Sequence, residues 1–178
     1  MVFGTTETTD INASDVEAGI GGFVIRGISA GDRAGNSVSG AGDVNGDGLD
    51  DLVIGAKGSD VGAIDAGAAY VVLGKADGSS VELSDVNLGV GGFGIRGDVR
   101  SYAVGTEVSG IGDFNGDGLD DVAIGVPNAL QRSYSADNGS VYEVFGKQDT
   151  DLVRLTSPAF DSSGVLIEAQ GRSYFGIH

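Results

Sequence analysis

Residues 22–55 read GFVIRGISAGDRAGNSVSGAGDVNGDGLDDLVIG, and residues 92–125 read GFGIRGDVRSYAVGTEVSGIGDFNGDGLDDVAIG. The two stretches align without a gap at an offset of 70 residues, with 20 identities in 34 positions. Further along, the offset becomes 72, because the loop at 126–138 is two residues longer than the loop at 56–66. A repeat of this length is typical of propellers and of other arrays of small structural units.

Within one repeat, the local pattern is that of short β-strands. Segments 23–25, 37–42, 52–55 and 68–73 are apolar or β-branched, and each is bounded by Gly or Asp. Glycine makes up 33 of the 178 residues, well above the usual proportion of about 7%, as expected for many strands joined by tight turns. No stretch of ten residues has an apolar period of 3.6. Four strands in one repeat predict an all-β fold made of propeller blades.

Each repeat contains a short loop rich in aspartate. Aspartate loop 1 (residues 43–51) reads DVNGDGLDD, and aspartate loop 2 (residues 113–121) reads DFNGDGLDD. Side-chain oxygens fall at positions 1, 3, 5 and 9, a backbone carbonyl is available at position 7, and the glycine at position 6 permits a sharp turn. So many carboxylates in nine residues repel each other unless a cation lies among them. Two copies of the pattern favour calcium over a solvated acidic turn and predict two Ca²⁺ sites.

Two other calcium motifs share part of this pattern. An EF-hand needs a bidentate acid at position 12 and a helix on each side. Position 12 is Ile54 in the first loop and Ile124 in the second, and the residues after each loop are typical of a buried strand. A calcium-loaded β-roll needs a run of Gly-Gly-x-Gly-x-Asp nonapeptides, which the sequence lacks. Both motifs are therefore rejected.

From about residue 11 to 178, the chain resembles the FG-GAP repeats that build the propeller of integrin α subunits and of related bacterial surface proteins. Ala34-Gly35 and Val104-Gly105 stand at the Phe-Gly position, and Phe175-Gly176 matches it literally. Gly55-Ala56-Lys57 and Gly125-Val126-Pro127 stand at the Gly-Ala-Pro position, with an aspartate loop between the two motifs in each repeat. The departures from the family's letters do not affect the metal-ligand positions.

The resemblance implies a set of calcium ligands and a place for them. In the family the loop joins the first and second strands of a blade, on the face away from the ligand-binding loops, and Asp50 and Asp120 are expected to face solvent. The implied ligands are Asp43, Asn45, Asp47, the Leu49 carbonyl and Asp51, and Asp113, Asn115, Asp117, the Leu119 carbonyl and Asp121.

The repeat boundaries divide the chain into four parts. Residues 1–34 are expected to form an N-terminal segment whose outer strand, near residues 22–27, is an orphan. Residues 35–104 form the first blade, and residues 105–171 form the second. Residues 172–178 begin a third repeat that stops. We therefore expect two tandem four-stranded blades with partial flanking strands in an incomplete ring, which either associates with itself or is extended by further blades.

Composition argues against several classes of function. A net charge of −16 repels phosphate backbones, so nucleic acid is not expected as a partner. No apolar run is long enough for a membrane span. The chain has no cysteine, and its only histidine is His178, which leaves no material for a histidine-based triad or a multi-histidine metal centre. The densest carboxylates belong to the aspartate loops, where a cation would hold them ionised. The sequence predicts that the chain is not an enzyme.

Two functions fit these expectations. The first is a calcium-binding, integrin-α-like propeller module that acts as an extracellular adhesion or protein-interaction scaffold, with a protein or glycan ligand. The alternative is a non-catalytic propeller that recognises substrate or carbohydrate for an attached extracellular hydrolase or lyase. Both place the protein outside the cell or on its surface, and the fold does not choose between them. The loops at 56–66 and 126–138 are the predicted place for a ligand.

Overall fold

A computed structural model describes residues 1–2, 4, 10–128, 139–155, 159–160 and 166–167. Over these residues the chain is mostly β, and its two helices are only five and four residues long. The all-β class predicted from the sequence is confirmed. The elements are α1 (Ala13–Glu17), β1 (Ile25–Arg26), β2 (Ser37–Gly42), β3 (Asp51–Ala56), β4 (Ala68–Val72), β5 (Val81–Glu82), α2 (Leu83–Val86), β6 (Gly92–Gly97), β7 (Val108–Gly112), β8 (Asp121–Val126), β9 (Ser140–Val144), β10 (Val153–Leu155), β11 (Ala159–Phe160) and β12 (Leu166–Ile167).

The first repeat folds into an antiparallel blade of four strands, β2, β3, β4 and β6, adjacent in chain order. All five residues of β4 are buried, because this strand lies in the middle of the sheet and both of its faces are covered. The pairing of β2 with β3 is irregular between Gly40 and Gly42, where Gly42 takes a φ of 72°. Glycine reaches this conformation without steric cost. The four-stranded blade predicted for the first repeat is confirmed.

The second repeat builds the same hairpins. Strands β7, β8 and β9 form an antiparallel sheet, and the irregularity recurs between Gly110 and Gly112. The fourth strand expected for this blade falls in residues 156–178, of which the structure describes only β11 and β12, an antiparallel pair. The expected start of a third repeat at 172–178 lies outside the described residues.

Short parallel strands join each repeat to the next one. Strand β10, which follows the second blade, pairs in parallel with β6 and becomes the fifth strand of the first sheet. In the same way β5 pairs in parallel with β1. The strand expected to be an orphan near residues 22–27 is therefore paired. Its partner β5 could not be predicted from the sequence, because a strand of two residues carries no periodic signal.

The two blades pack against each other through their first strands. One apolar cluster runs through both, with Val53 and Val71 from the first blade and Val122 and Ile124 from the second. On the side of β2 that faces β7, the Oγ atoms of Ser37 and Ser39 accept hydrogen bonds from backbone N–H groups of β7. A Cβ atom added to Gly110 would lie 2.3 Å from a backbone oxygen of β2. The first strands are thus in backbone-to-backbone contact.

This contact predicts effects of different size for the same substitution at two equivalent positions. Gly110→Ala places a methyl group against the Gly40 carbonyl, which cannot move without distorting the sheet, and should lower the free energy of unfolding by about 1–3 kcal/mol. Gly40→Ala is the matched control, because a Cβ there meets no atom of the described residues within 4 Å, and it should change the free energy of unfolding by less than about 0.5 kcal/mol. Urea unfolding of both variants measures the difference. Equal effects would show that the blades do not pack in this way.

Candidate metal centre

Both aspartate loops lie at the same end of their blades. Loop 1 joins β2 to β3, and loop 2 joins β7 to β8, so each connects the first two strands of its blade. Gly46 and Gly48 take φ values of 78° and 86°, and Gly116 and Gly118 take 80° and 92°. The left-handed glycines turn the chain sharply inside each loop and point its polar side chains inward.

In loop 1, the carboxylate of Asp43 is the centre around which the backbone folds. Its Oδ1 accepts hydrogen bonds from the backbone N–H groups of Gly46 and Asp47, at 2.8 and 3.0 Å. Its Oδ2 accepts one from the N–H of Gly48, at 2.9 Å. Bonds of this kind, from backbone N–H to an ionised oxygen, are among the stronger hydrogen bonds in proteins.

The next two predicted ligands lie beside Asp43. The N–H of Asp47 also donates to Asn45 Oδ1 at 3.0 Å, so the Asp43 and Asn45 oxygens share one donor and lie close together. The Asn45 amide donates to Asp47 Oδ2 at 2.9 Å, and Asp47 Oδ1 accepts from the N–H of Leu49. The loop thus collects oxygens from positions 1, 3 and 5, and the backbone of Leu49 closes it.

Asp51, the predicted ligand at position 9, is almost completely buried at the start of β3. Its Oδ2 accepts from the N–H of Val44 at 2.9 Å, and its Oδ1 accepts from the N–H of Gly74 at 2.7 Å. Burial raises the pKa of Asp51 to about 6, the two N–H donors oppose this rise, and the negative charges of Asp47 and Asp43 add to it. A cation in the loop would favour the ionised form.

Loop 2 repeats this geometry. Asp113 accepts from the N–H groups of Gly116, Asp117 and Gly118 at 2.7–3.0 Å. Asn115 and Asp117 exchange the same pair of bonds as their counterparts, at 2.8 and 2.9 Å. Asp121 is fully buried. Its oxygens accept from the N–H groups of Phe114 and Asn115 within loop 2, and from the N–H of Gly146, which follows β9.

The loops bring together the ligands at positions 1, 3 and 5, whereas the position-9 carboxylate is held by backbone N–H groups. Across the residues that the structure describes, no three His, Cys, Asp or Glu side chains form a cluster suited to a metal ion. The donor set of each loop nevertheless consists only of carboxylate, amide and carbonyl oxygens, the ligands that Ca²⁺ takes and that Zn²⁺ sites rarely use alone. The chemistry of the donors therefore fits calcium.

Asp120 was expected to face solvent, and this expectation is wrong. It is partly buried, its Oδ2 accepts a hydrogen bond from the N–H of Asp43 at 2.9 Å, and its own N–H donates to the Asp43 carbonyl at 3.1 Å. It thus fastens loop 2 to loop 1. Its counterpart Asp50 is exposed, as expected. The different environments of Asp50 and Asp120 could not be predicted from the sequence, because both loops end in the same four residues, Gly-Leu-Asp-Asp. The contact that distinguishes them lies between repeats.

The loops at the other end of the blades surround an open cavity of about 270 Å³. Lys57 and Asp65 line it from the β3–β4 connection, and Arg33 and Ser101 lie beside them. Arg33, Asp65 and Ser101 all have positive φ values, between 52° and 61°. Residues other than glycine adopt this conformation at a cost, and such strain often collects at functional sites. Residues 129–138 of the second predicted ligand loop lie outside the described residues.

Comparison with known proteins identifies the repeats. The family model of the FG-GAP repeat matches residues 34–72 and 104–144. Phosphatidylinositol-glycan-specific phospholipase D of Mus musculus is 37% identical over 114 residues, which are 62% of this chain and 13% of that protein. The Bos taurus protein of the same name is 36% identical over 112 residues. Integrin alpha pat-2 of Caenorhabditis elegans is 33% identical over 97 residues, which are 52% of this chain and 7% of the integrin.

The chain thus corresponds to only a small part of these relatives, about one eighth of the phospholipases and less of the integrin. The two family matches run from just before β2 to β4 and from just before β7 to β9, so each covers the first three strands of one blade and its aspartate loop. The chain therefore carries two tandem FG-GAP repeats, one in each blade, as its sequence predicted.

Proposed function

We propose that this chain is a calcium-binding interaction module that acts outside the cell, as an adhesion or protein-interaction scaffold. The observation that carries the proposal is the doubled oxygen site. Two loops of the same sequence pattern fold the same three side chains inward at the same end of two blades. The relatives with FG-GAP regions include an integrin α chain, which supports an interaction role.

Calcium would neutralise the gathered carboxylates and fix the hairpin between the first and second strands of each blade. Two ions would reduce the net charge from −16 to −12, since each carries two positive charges. The residues that would hold the ions are Asp43, Asn45, Asp47, the Leu49 carbonyl and Asp51, and Asp113, Asn115, Asp117, the Leu119 carbonyl and Asp121.

The ligand surface would be at the end of the blades opposite the aspartate loops. Successive hairpin loops of an antiparallel sheet lie at alternate ends, so the 56–66 loop is far from loop 1. This end contains the cavity beside Arg33 and Lys57, two of the ten basic residues of a strongly acidic chain. An extracellular protein or glycan with an acidic group would suit this cavity. In the described part of the chain, no helix is long and apolar enough to cross a membrane.

A second candidate function is a non-catalytic propeller that recognises substrate or carbohydrate for an attached extracellular hydrolase or lyase. It is favoured by the similarity to phosphatidylinositol-glycan-specific phospholipase D, whose name denotes an enzyme and of which the match covers 13%. A catalytic domain on the same polypeptide would favour this function. Loss of the enzyme's affinity for its substrate after removal of the repeats would establish it.

Removal of calcium is predicted to lower the melting temperature of the chain. A single site stabilises the fold by about 2.7 kcal/mol when the free ion is at about 100 times the dissociation constant. Excess chelator should therefore shift the thermal transition clearly downward, and calcium should restore it. Magnesium should restore little, because it demands a smaller octahedral site. A melting curve that chelator leaves unchanged would disprove the calcium proposal.

Each loop is predicted to bind one ion independently. Asp47→Ala and Asp117→Ala each remove a charged ligand, so titration calorimetry should find one ion per chain in place of two. The site that remains in each variant shows that the fold persists. Asp50→Ala is the matched control, because it removes an exposed carboxylate from loop 1 that is not a ligand, and it should keep both ions. Loss of an ion in the control but not in Asp47→Ala would show that the ligands are assigned wrongly.

The affinity of these sites should match an extracellular setting. We expect dissociation constants of about 10⁻⁴–10⁻³ M, the range of extracellular calcium modules. Calorimetry at physiological salt measures them directly. A constant below about 10⁻⁷ M would contradict the proposed location, because such a site would also fill at cytosolic calcium levels.

A further inference from the structure

Most basic side chains of this acidic chain are held in ion pairs. The structure describes eight of the ten lysine and arginine residues, and five of the eight lie 2.7–3.6 Å from a carboxylate oxygen, namely Arg26, Lys75, Arg96, Lys147 and Arg154. Arg33, Lys57 and Arg100 form no ion pair with any described residue. Arg33 and Lys57 both line the open cavity opposite the aspartate loops. Two cations without a carboxylate partner in the described chain therefore meet at one cavity.

Neither of these two cations belongs to the repeated pattern. At the offset of 70 residues, Arg33 corresponds to Ala103, and Lys57 corresponds to Pro127 at the last position of the Gly-Ala-Pro motif. The backbone conformation is nevertheless shared, since φ is 57° at Arg33 and 55° at Ala103. The turn forms in the second repeat without either charge. The fold alone therefore does not account for Arg33 and Lys57.

The cavity lies inside the array, between two copies of one turn. Its walls are the turn at 29–35 before β2, the equivalent turn at 99–105 before β7, and the connection from β3 to β4 between them. Backbone hydrogen bonds of 2.9–3.4 Å fasten this connection to both turns. Asn128, which follows β8, lines the cavity from the second blade, and its Nδ2 donates to the Ser101 carbonyl at 2.8 Å. Residues of both repeats thus hold the cavity in shape.

The remaining lining suits a group that carries several hydroxyls. The side chains of Asp65, Ser101 and Asn128 can accept hydrogen bonds from hydroxyl groups or donate to them, and the other lining residues are glycine and alanine. No large apolar or aromatic side chain of the described residues lines the cavity, whereas such side chains dominate the pockets that anchor protein partners. A volume of about 270 Å³ is small for a ligand pocket. A single sugar unit matches this size and this lining.

The charges of the lining indicate the charge of the ligand. Arg33 and Lys57 supply two positive charges and Asp65 supplies one negative charge, which leaves an excess of one. Two further carboxylates lie next to the lining, because Asp32 is buried beside Arg33 in sequence and Asp60 Oδ1 accepts the N–H of Asp65 at 2.7 Å. A singly charged carboxylate therefore suits the cavity better than a phosphate, which carries nearly two charges. A guanidinium group pairs with a carboxylate through two parallel hydrogen bonds.

We propose that this cavity binds a uronic acid unit of an extracellular polysaccharide, whose carboxylate pairs with Arg33 and Lys57. The ring hydroxyls of the sugar would bind the side chains of Asp65, Ser101 and Asn128. The inference rests on the proposed function, because it names the ligand class of the interaction module. The counterparts of the two cations in the second repeat are uncharged, so the second repeat does not make the same contact.

Matched methyl glycosides test the role of the carboxylate. Methyl glucuronoside and methyl galacturonoside carry it, whereas methyl glucoside and methyl galactoside have a neutral hydroxymethyl group on the same rings. Each is titrated into the chain with calcium in fixed excess, and the shifts of backbone amide signals in ¹H–¹⁵N NMR spectra measure binding. We expect at least one uronoside to shift the amides of Gly58 and Ser101 with a dissociation constant of about 10⁻³ M. Its neutral partner should bind about tenfold more weakly. Absence of binding by both uronosides, or equal binding by the neutral partner, would overturn the proposal.

Two variants each remove one cation from the cavity. Arg33→Ala introduces the residue that the second repeat has in the same conformation, and Lys57→Gln keeps the N–H that donates to Asn36 Oδ1. Each should weaken uronoside binding about tenfold, with circular dichroism as the check of folding. Arg100→Ala is the matched control, because it removes an exposed arginine that does not line the cavity, and should change the affinity by less than about twofold. Equal losses in all three variants would show that general charge, and not the cavity, attracts the sugar.

A blocked Gly-Glu-Gly peptide separates a sugar ligand from an acidic protein, because it has one carboxylate and no charged ends. It should bind about tenfold more weakly than the uronoside, since it lacks the ring hydroxyls. A peptide that binds as tightly would overturn the assignment to a sugar and indicate an acidic protein partner. Calorimetry on the same samples counts bound calcium. Two bound ions without uronoside binding would refute this inference alone, and uronoside binding without calcium would refute the calcium proposal alone.

Discussion

The carboxylate that is buried at the start of the second strand of each blade holds the aspartate loop and the end of the third strand in place. Asp51 binds the N–H of Val44 in its own loop and the N–H of Gly74 beyond β4, and thus connects three parts of the blade. A buried carboxylate must keep its donors, because an unpaired charge there is costly. The aspartate loop is therefore held rigidly against the sheet, and its outer backbone can serve as a contact surface for the next repeat.

The same loop has two roles that use different atoms. The side chains of Asp43, Asn45 and Asp47 turn inward, where they would hold an ion, while the backbone N–H and carbonyl of Asp43 turn outward to Asp120. The carbonyl of Val44 also accepts the N–H of Lys147 from the second blade. Calcium in loop 1 would thus stabilise both a hairpin and the junction between blades.

The features that the sequence predicted are those encoded within one repeat. The strands, the hairpin loops and the oxygen pattern all follow from apolar runs, glycines and aspartates only a few residues apart, and the offset of 70 shows that they occur twice. The sequence could not predict contacts between repeats. Strands β5 and β10 are too short to show a period. Asp50 and Asp120 have the same neighbours in sequence but different surroundings in space, since only one of them meets another blade.

The parallel pair of β6 and β10 has a mechanical consequence. Strands β7, β8 and β9 of the second blade lie between these two strands in sequence, and three register pairs, from Ile95–Val153 to Gly97–Leu155, close them into a loop. A force that pulls the chain apart on either side of that loop acts along both strands in opposite directions. The hydrogen bonds are then loaded in shear and must break together, whereas bonds peeled from one end break singly. Until they yield, no tension reaches β7, β8 and β9, and aspartate loop 2 keeps its shape while the chain is under load.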